Sequence, residues 1–140
     1  MGRELKHLLF TLYRCDVELL NDRMFIENLL YETANYCGST FLNTVSHQFE
    51  PQGVTAVTLL AESHISIHTW PEKEMAVCDI FTCGDHTDPM KGFAYMKTAL
   101  KSWCSSYKLY ERPFEIDGVP SPQLSTNLPW PDGVPAIITE

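Results

Sequence analysis

The stretch Glu62-Ser63-His64-Ile65-Ser66-Ile67-His68-Thr69-Trp70-Pro71-Glu72, followed by Asp79-Ile80-Phe81-Thr82-Cys83-Gly84, gathers most of the chain's candidate chemistry. A metal site is the first possibility, because His64 and His68 have the spacing of a helical zinc pair. Ile65 and Ile67 alternate with Ser66 and His68, however, which reads as a strand. In a strand the two imidazoles lie about 13 Å apart, at ~3.3 Å per residue. One ion cannot take both, and no metal is expected. A hydrolase triad of Ser63, His68 and Asp79 is the second possibility, but Ser63 falls at a strand edge and lacks a G-x-S-x-G elbow.

A third reading uses the hairpin. If residues 61 and 62 form its turn, residue 60 pairs with 63, and antiparallel pairing sets Thr55 opposite His68. Cys83 would lie nearby if the third strand pairs with the second. A serine beside a turn, an imidazole, a hydroxyl and a thiol are suited to moving protons around a backbone carbonyl. The residues alone leave open that Ser63 is an ordinary turn serine and His68 a hydrogen-bonded sheet histidine.

The same block resembles the prokaryotic S-adenosylmethionine decarboxylases, small self-processing enzymes with the pattern E-S-H-x-[ST]-I-H-[ST]-[WF]-P-E and a following D-x-[FY]-T-C-G. Both segments match at the right separation, and His47-x-Phe49-x-Pro51-x-Gly53-Val54 and Cys15-Asp16 also fit. The likeness runs from about Lys6 to Leu100. It implies attack of Ser63 Oγ on the carbonyl of Glu62, assisted by Thr55 and His68. Chain cleavage between 62 and 63 then leaves a pyruvoyl group derived from Ser63 as the built-in cofactor. That carbonyl forms a Schiff base with the substrate amine and takes up electrons as carbon dioxide leaves. By the same resemblance His68 and Cys83 are catalytic, Cys83 returning a proton to the substrate. Phe49 stacks on the adenine near the sulfonium, and Glu72 accepts the ribose hydroxyls, whereas Trp70 is left to the core. The product would be the aminopropyl donor for spermidine, and the processed protomers would pair as a homodimer.

Two positions depart from the family's pattern. Thr55 stands where serine is usual and keeps the hydroxyl. Thr11 stands where an acidic residue is often found in the first strand. Relatives that decarboxylate ornithine or arginine are therefore an alternative, although those substrates have no adenine for Phe49 and Glu72 to bind. A catalytically inactive regulatory relative is a further alternative, against which the intact Ser63, His68 and Cys83 speak.

These residues need a frame. Lys6 to Tyr13 reads as a strand. A helix is expected from Asn21 or Asp22 to Gly38, with Phe25, Leu29, Ala34 and Cys37 on its apolar face. Thr40–Phe49, Val54–Leu60, Ser63–Trp70 and Met75–Thr82 read as four strands, the first closed by a Pro51-Gln52-Gly53 turn. Asp88-Pro89 starts a second helix, with Phe93, Met96, Leu100 and Trp103 as its stripe. Ser106 to Glu111 completes the strands. The expected fold is α+β: a two-layer sandwich of mainly antiparallel sheet with two helices on one face. The bare sheet face would need a cover, for which a symmetric dimer is usual. Residues 1–112 are expected to form the domain and the Pro-rich 113–140 an extended tail.

Composition points to a single globular, cytosolic domain. The chain has 140 residues, 44% of them hydrophobic, and a net charge of −8 that disfavours nucleic-acid binding. No apolar run approaches the roughly 20 residues of a membrane span, and the start MGRELK has no signal-peptide pattern. Five cysteines without C-x-x-C spacing indicate reduced thiols.

Overall fold

The computed structural model describes residues 5–112. Period-2 hydrophobicity builds most of it. Six strands form: β1 Leu5–Tyr13, β2 Phe41–Gln48, β3 Val54–Leu60, β4 His64–Trp70, β5 Met75–Cys83 and β6 Cys104–Arg112. They make one sheet in the order β2-β3-β4-β5-β1-β6, antiparallel at every pairing. β1 therefore lies between β5 and β6.

Alternation sorts the two faces. Leu8, Phe10, Leu12, Ile65, Ile67, Cys78 and Ile80 point inward and are buried. Their neighbours His64, Ser66, His68, Val77, Asp79 and Leu9 point to the other side. Helix α2, Arg23–Cys37, and helix α3, Pro89–Ala99, cover the inner face with Ile26, Leu29, Leu30, Ala34 and Met96. The core is thus a single layer between sheet and helices, as the expected two-layer α+β sandwich requires. The helices meet at Gly92, where an added Cβ would fall 2.4 Å from Cys37 Sγ.

Local signals explain the helix limits. Asp22 caps α2 by accepting from Phe25 N–H, and Gly38 ends it in the left-handed region at φ 77°. Asp88 caps α3 by accepting from Met90 N–H, with Pro89 in the first turn.

One element was not expected, and one expectation needs correction. A short helix α1, Val17–Leu20, capped by Asp16, precedes α2. Asn21 ends it, and of the two expected caps of α2 it is Asp22 that serves. The apolar stripe of α3 also stops before Trp103, which is 80% exposed. Lys101 adopts φ 57° and breaks the helical path, so Trp103 N–H instead donates to the Tyr13 carbonyl. The expected tail at 113–140 lies outside the described residues. Among the described residues, no helix is long and apolar enough to cross a membrane.

Candidate active site

The β3–β4 hairpin has the register that the constant-sum argument requires. Leu60 N–H donates to the Ser63 carbonyl at 2.9 Å, leaving Ala61 and Glu62 as the turn, and Thr55 pairs with His68. The Thr55 hydroxyl and His68 Nδ1 are 3.0 Å apart.

The two residues form one wall of a cleft of about 400 Å³ that also takes in Phe49, Gln52, Gly53, Thr69, Trp70 and Glu72. Four of the five expected site residues outside the cut bond are thereby gathered. Phe49 is 46% exposed, so packing in the core does not account for it. It projects from the β2–β3 loop, which Asn21 holds. Asn21 Oδ1 accepts from Gly53 N–H at 2.8 Å and from Gln48 Nε2 at 2.9 Å. Gly53 is at φ 110°, and a Cβ there would press on the Thr69 carbonyl at 3.2 Å. Glu72 sits on the short 3-10 turn Pro71–Lys73 after β4. Trp70, expected in the core, is 38% exposed and lines the cleft instead. As the strand's last outward position, it shares a face with His68.

Cys83 does not join this group. β5 pairs with β4, but His68 lies opposite Val77, and Cys83 is six residues further along, about 20 Å in extended chain. Ser63 is likewise about 16 Å from His68 along β4. The expected site residues thus fall in two groups: Ser63 and Cys83 at one end of the sheet, Thr55, His68, Phe49 and Glu72 at the other. Thr11 stands opposite Val77 on β1, in line with His68 but two strands away, about 10 Å.

A second polar cluster was not expected. His7 Nε2 and His64 Nε2 approach the same Asp79 Oδ2 at 2.7 and 2.9 Å, and the Ser66 hydroxyl donates to Oδ1. Burial pushes the Asp79 carboxyl up, but the bonds from Ser66, His7 and His64 outweigh it and hold the group below its usual range. The three ligand-type atoms lie within 4.8 Å of one another, and the two nitrogen–oxygen distances are those of hydrogen bonds. Alternation places His64, Ser66 and Asp79 on one face and was legible. The missing signal was the pairing of β1 with β5, which brings in His7.

The remaining thiols divide by burial. Burial pushes Cys37 up to about 12 and Cys15 up to about 11, and Cys78 is raised as well. All three are core residues, whereas Cys83 is half-buried and Cys104 exposed.

Known proteins resemble this chain in sequence and in fold. A family described as S-adenosylmethionine decarboxylase matches residues 6–113. An S-adenosylmethionine decarboxylase proenzyme of Synechococcus sp. (strain WH7803) is 50% identical over 97 residues, 69% of this chain and 76% of that one. The proenzyme of Methanococcus aeolicus is 47% identical over 96 residues, covering 69% and 82%. In three dimensions, the crystal structure of the adenosylmethionine decarboxylase from Aquifex aeolicus VF5 superposes with a TM-score of 0.76 at 33% identity, over 86% of this chain and 99% of that one. With its fold and most of its described length matched, the chain belongs to the S-adenosylmethionine decarboxylase family.

Proposed function

We propose that this chain is a proenzyme that cleaves its own Glu62–Ser63 bond and then decarboxylates S-adenosylmethionine. The observation that carries this reading is the single cleft lined by Phe49, Thr55, His68 and Glu72. An aromatic face suits an adenine and a sulfonium cation, and a carboxylate suits a ribose diol. Ornithine and arginine have neither group, so the aromatic wall favours the nucleoside substrate.

Processing needs only this chain's atoms and one water. Ser63 Oγ bonds to the Glu62 carbonyl carbon, the C–N bond breaks, and the nitrogen takes a proton, giving an ester. Loss of the proton at Cα of residue 63 expels Glu62 as a carboxylate. Water then releases ammonia and leaves a pyruvoyl group. The pieces have 62 and 140 − 62 = 78 residues. The pyruvoyl carbonyl supplies the electron sink for decarboxylation. Ser63, directly after a two-residue turn, fits that origin. Phe49 and Glu72 orient the substrate, His68 moves protons, and Cys83 protonates the substrate carbon.

The two groups are half-sites joined by a second copy. Among the described residues, helices cover one sheet face, and Val45, Leu59, Leu9, Val77 and Trp70 are exposed on the other, at 66, 50, 41, 36 and 38%. Sheets pack face to face at about 10 Å. A two-fold axis between them, running across the strands, sets the Ser63–Cys83 end of one protomer over the Thr55–His68 end of its partner.

Intact mass spectrometry, with carbon dioxide release from carboxyl-labelled S-adenosylmethionine, ornithine and arginine, tests the reading. Two fragments and release from the nucleoside alone are expected. A persistent 140-residue species would favour a regulatory protein, and release from an amino acid alone would reassign the substrate.

A further inference from the structure

We propose that Thr40 and His86 clamp the Glu62 side chain and so position the scissile peptide for attack by Ser63, an inference that rests on the self-cleavage reading above. The Ala61-Glu62 turn has none of the glycine or asparagine chemistry that stabilises two-residue hairpins. It is held from outside. The Thr40 carbonyl accepts Ala61 N–H at 2.9 Å. Thr40 N–H donates to Glu62 Oε1 at 3.0 Å, and its hydroxyl to Oε2 at 3.3 Å. His86 Nε2 reaches the same Oε2 at 3.0 Å. Three donors therefore fix one carboxylate whose side chain is only 13% exposed.

The fold goes to some length to place His86 there. The loop between β5 and α3 is drawn onto the end of α2, Asp88 N–H donating to the Cys37 carbonyl at 2.9 Å. The His86 carbonyl lies where a Cβ on Gly38 would sit, 2.7 Å away, so only glycine permits the approach. Burial raises the Glu62 carboxyl, but the bonds from Thr40 and His86 outweigh it and keep the group below its usual range. An anchored carboxylate limits rotation of Glu62 and so sets the direction of its carbonyl, the atom group that Ser63 Oγ must reach. Once the bond is cut, Glu62 is a chain end with no part in decarboxylation, and the clamp has no further task.

The clamp thus predicts a processing defect without a catalytic one. Proenzyme made by cell-free translation is followed by intact mass over time, and decarboxylation is measured per pyruvoyl group in matured protein. His86→Ala should slow cleavage by about three- to tenfold, the scale of one charge-assisted bond at a partly exposed site. His86→Gln, which keeps a donor, should restore most of the rate. His86→Ala in a Glu62→Ala background should add nothing further, because the two act through one contact. Matured His86→Ala protein should decarboxylate at the parent rate. Cleavage of His86→Ala at the parent rate, additive slowing in the double variant, or an equal loss in decarboxylation would each overturn the clamp. A parent chain that never cleaves would instead remove the self-cleavage reading, and the clamp with it.

Discussion

Thr55 and His68 face one another across β3 and β4, hydroxyl to imidazole Nδ1 at 3.0 Å. The contact fixes the ring and leaves Nε2 as the atom free to reach across to a partner. Thr55→Val keeps the side chain's shape but loses the oxygen, and should slow self-cleavage by roughly 100-fold, the low end of what a positioned proton-transfer group contributes. Thr55→Ser should restore it. Conversion of the full-length mass into two fragments reads the outcome directly.

The split of the site between opposite ends of the sheet predicts complementation. Cys83→Ala and Glu72→Ala are each expected to be nearly inactive. Unfolded together and refolded as a mixture, half of the dimers are mixed. Each mixed dimer holds one site without either change, so about a quarter of parental activity should return. A site contained in one chain would recover nothing.

Asp79 predicts a pH dependence. Its carboxyl is held below the usual value by Ser66, His7 and His64 against the opposing effect of burial. Its contribution to stability is therefore complete above the unfolded value of about 3.9 and is lost as pH falls through the lower folded value. Asp79→Asn should cost about 1–3 kcal/mol at pH 7. The gap to the parent should narrow below pH ~4. Urea midpoints at pH 7 and pH 3 measure both.

Gly92→Ala tests the helix contact. The new methyl would lie 2.4 Å from Cys37 Sγ and 3.0 Å from both Ile80 Cδ1 and Thr33 Cγ2. Overpacking of this kind costs about 1–3 kcal/mol. Pairing it with Cys37→Ala, which removes the closest atom, should recover part of the loss in thermal melting.

What could be read from the chain follows from the range of the interactions. The hairpin at residues 61 and 62 fixed Thr55 opposite His68 because antiparallel register is arithmetic once a turn is placed. Asp88-Pro89 announced α3 because capping is chemistry within one turn. Helix α1 was hidden, since Val17–Leu20 makes barely one turn and is too short to show a helical period. The position of Cys83 was misjudged because adjacency of strands was taken as adjacency of residues. His7 was silent because its partners come from strands far along the chain. Trp70 was assigned to the core on its residue type, whereas its place in the alternation put it on the open face.

The order of strands has a consequence for the mature protein. A cut at 62–63 leaves β1, β2 and β3 on one piece and β4, β5 and β6 on the other. Since β1 is hydrogen-bonded between β5 and β6, and β3 to β4, the pieces are interlaced through three ladders and cannot drift apart while folded. Losing the fold is then the same event as dissociation. Refolding of the cut protein becomes a second-order encounter that slows on dilution, whereas formation of the fold by the uncut chain requires no such encounter. Maturation would thus give this enzyme its cofactor and make loss of its fold harder to reverse.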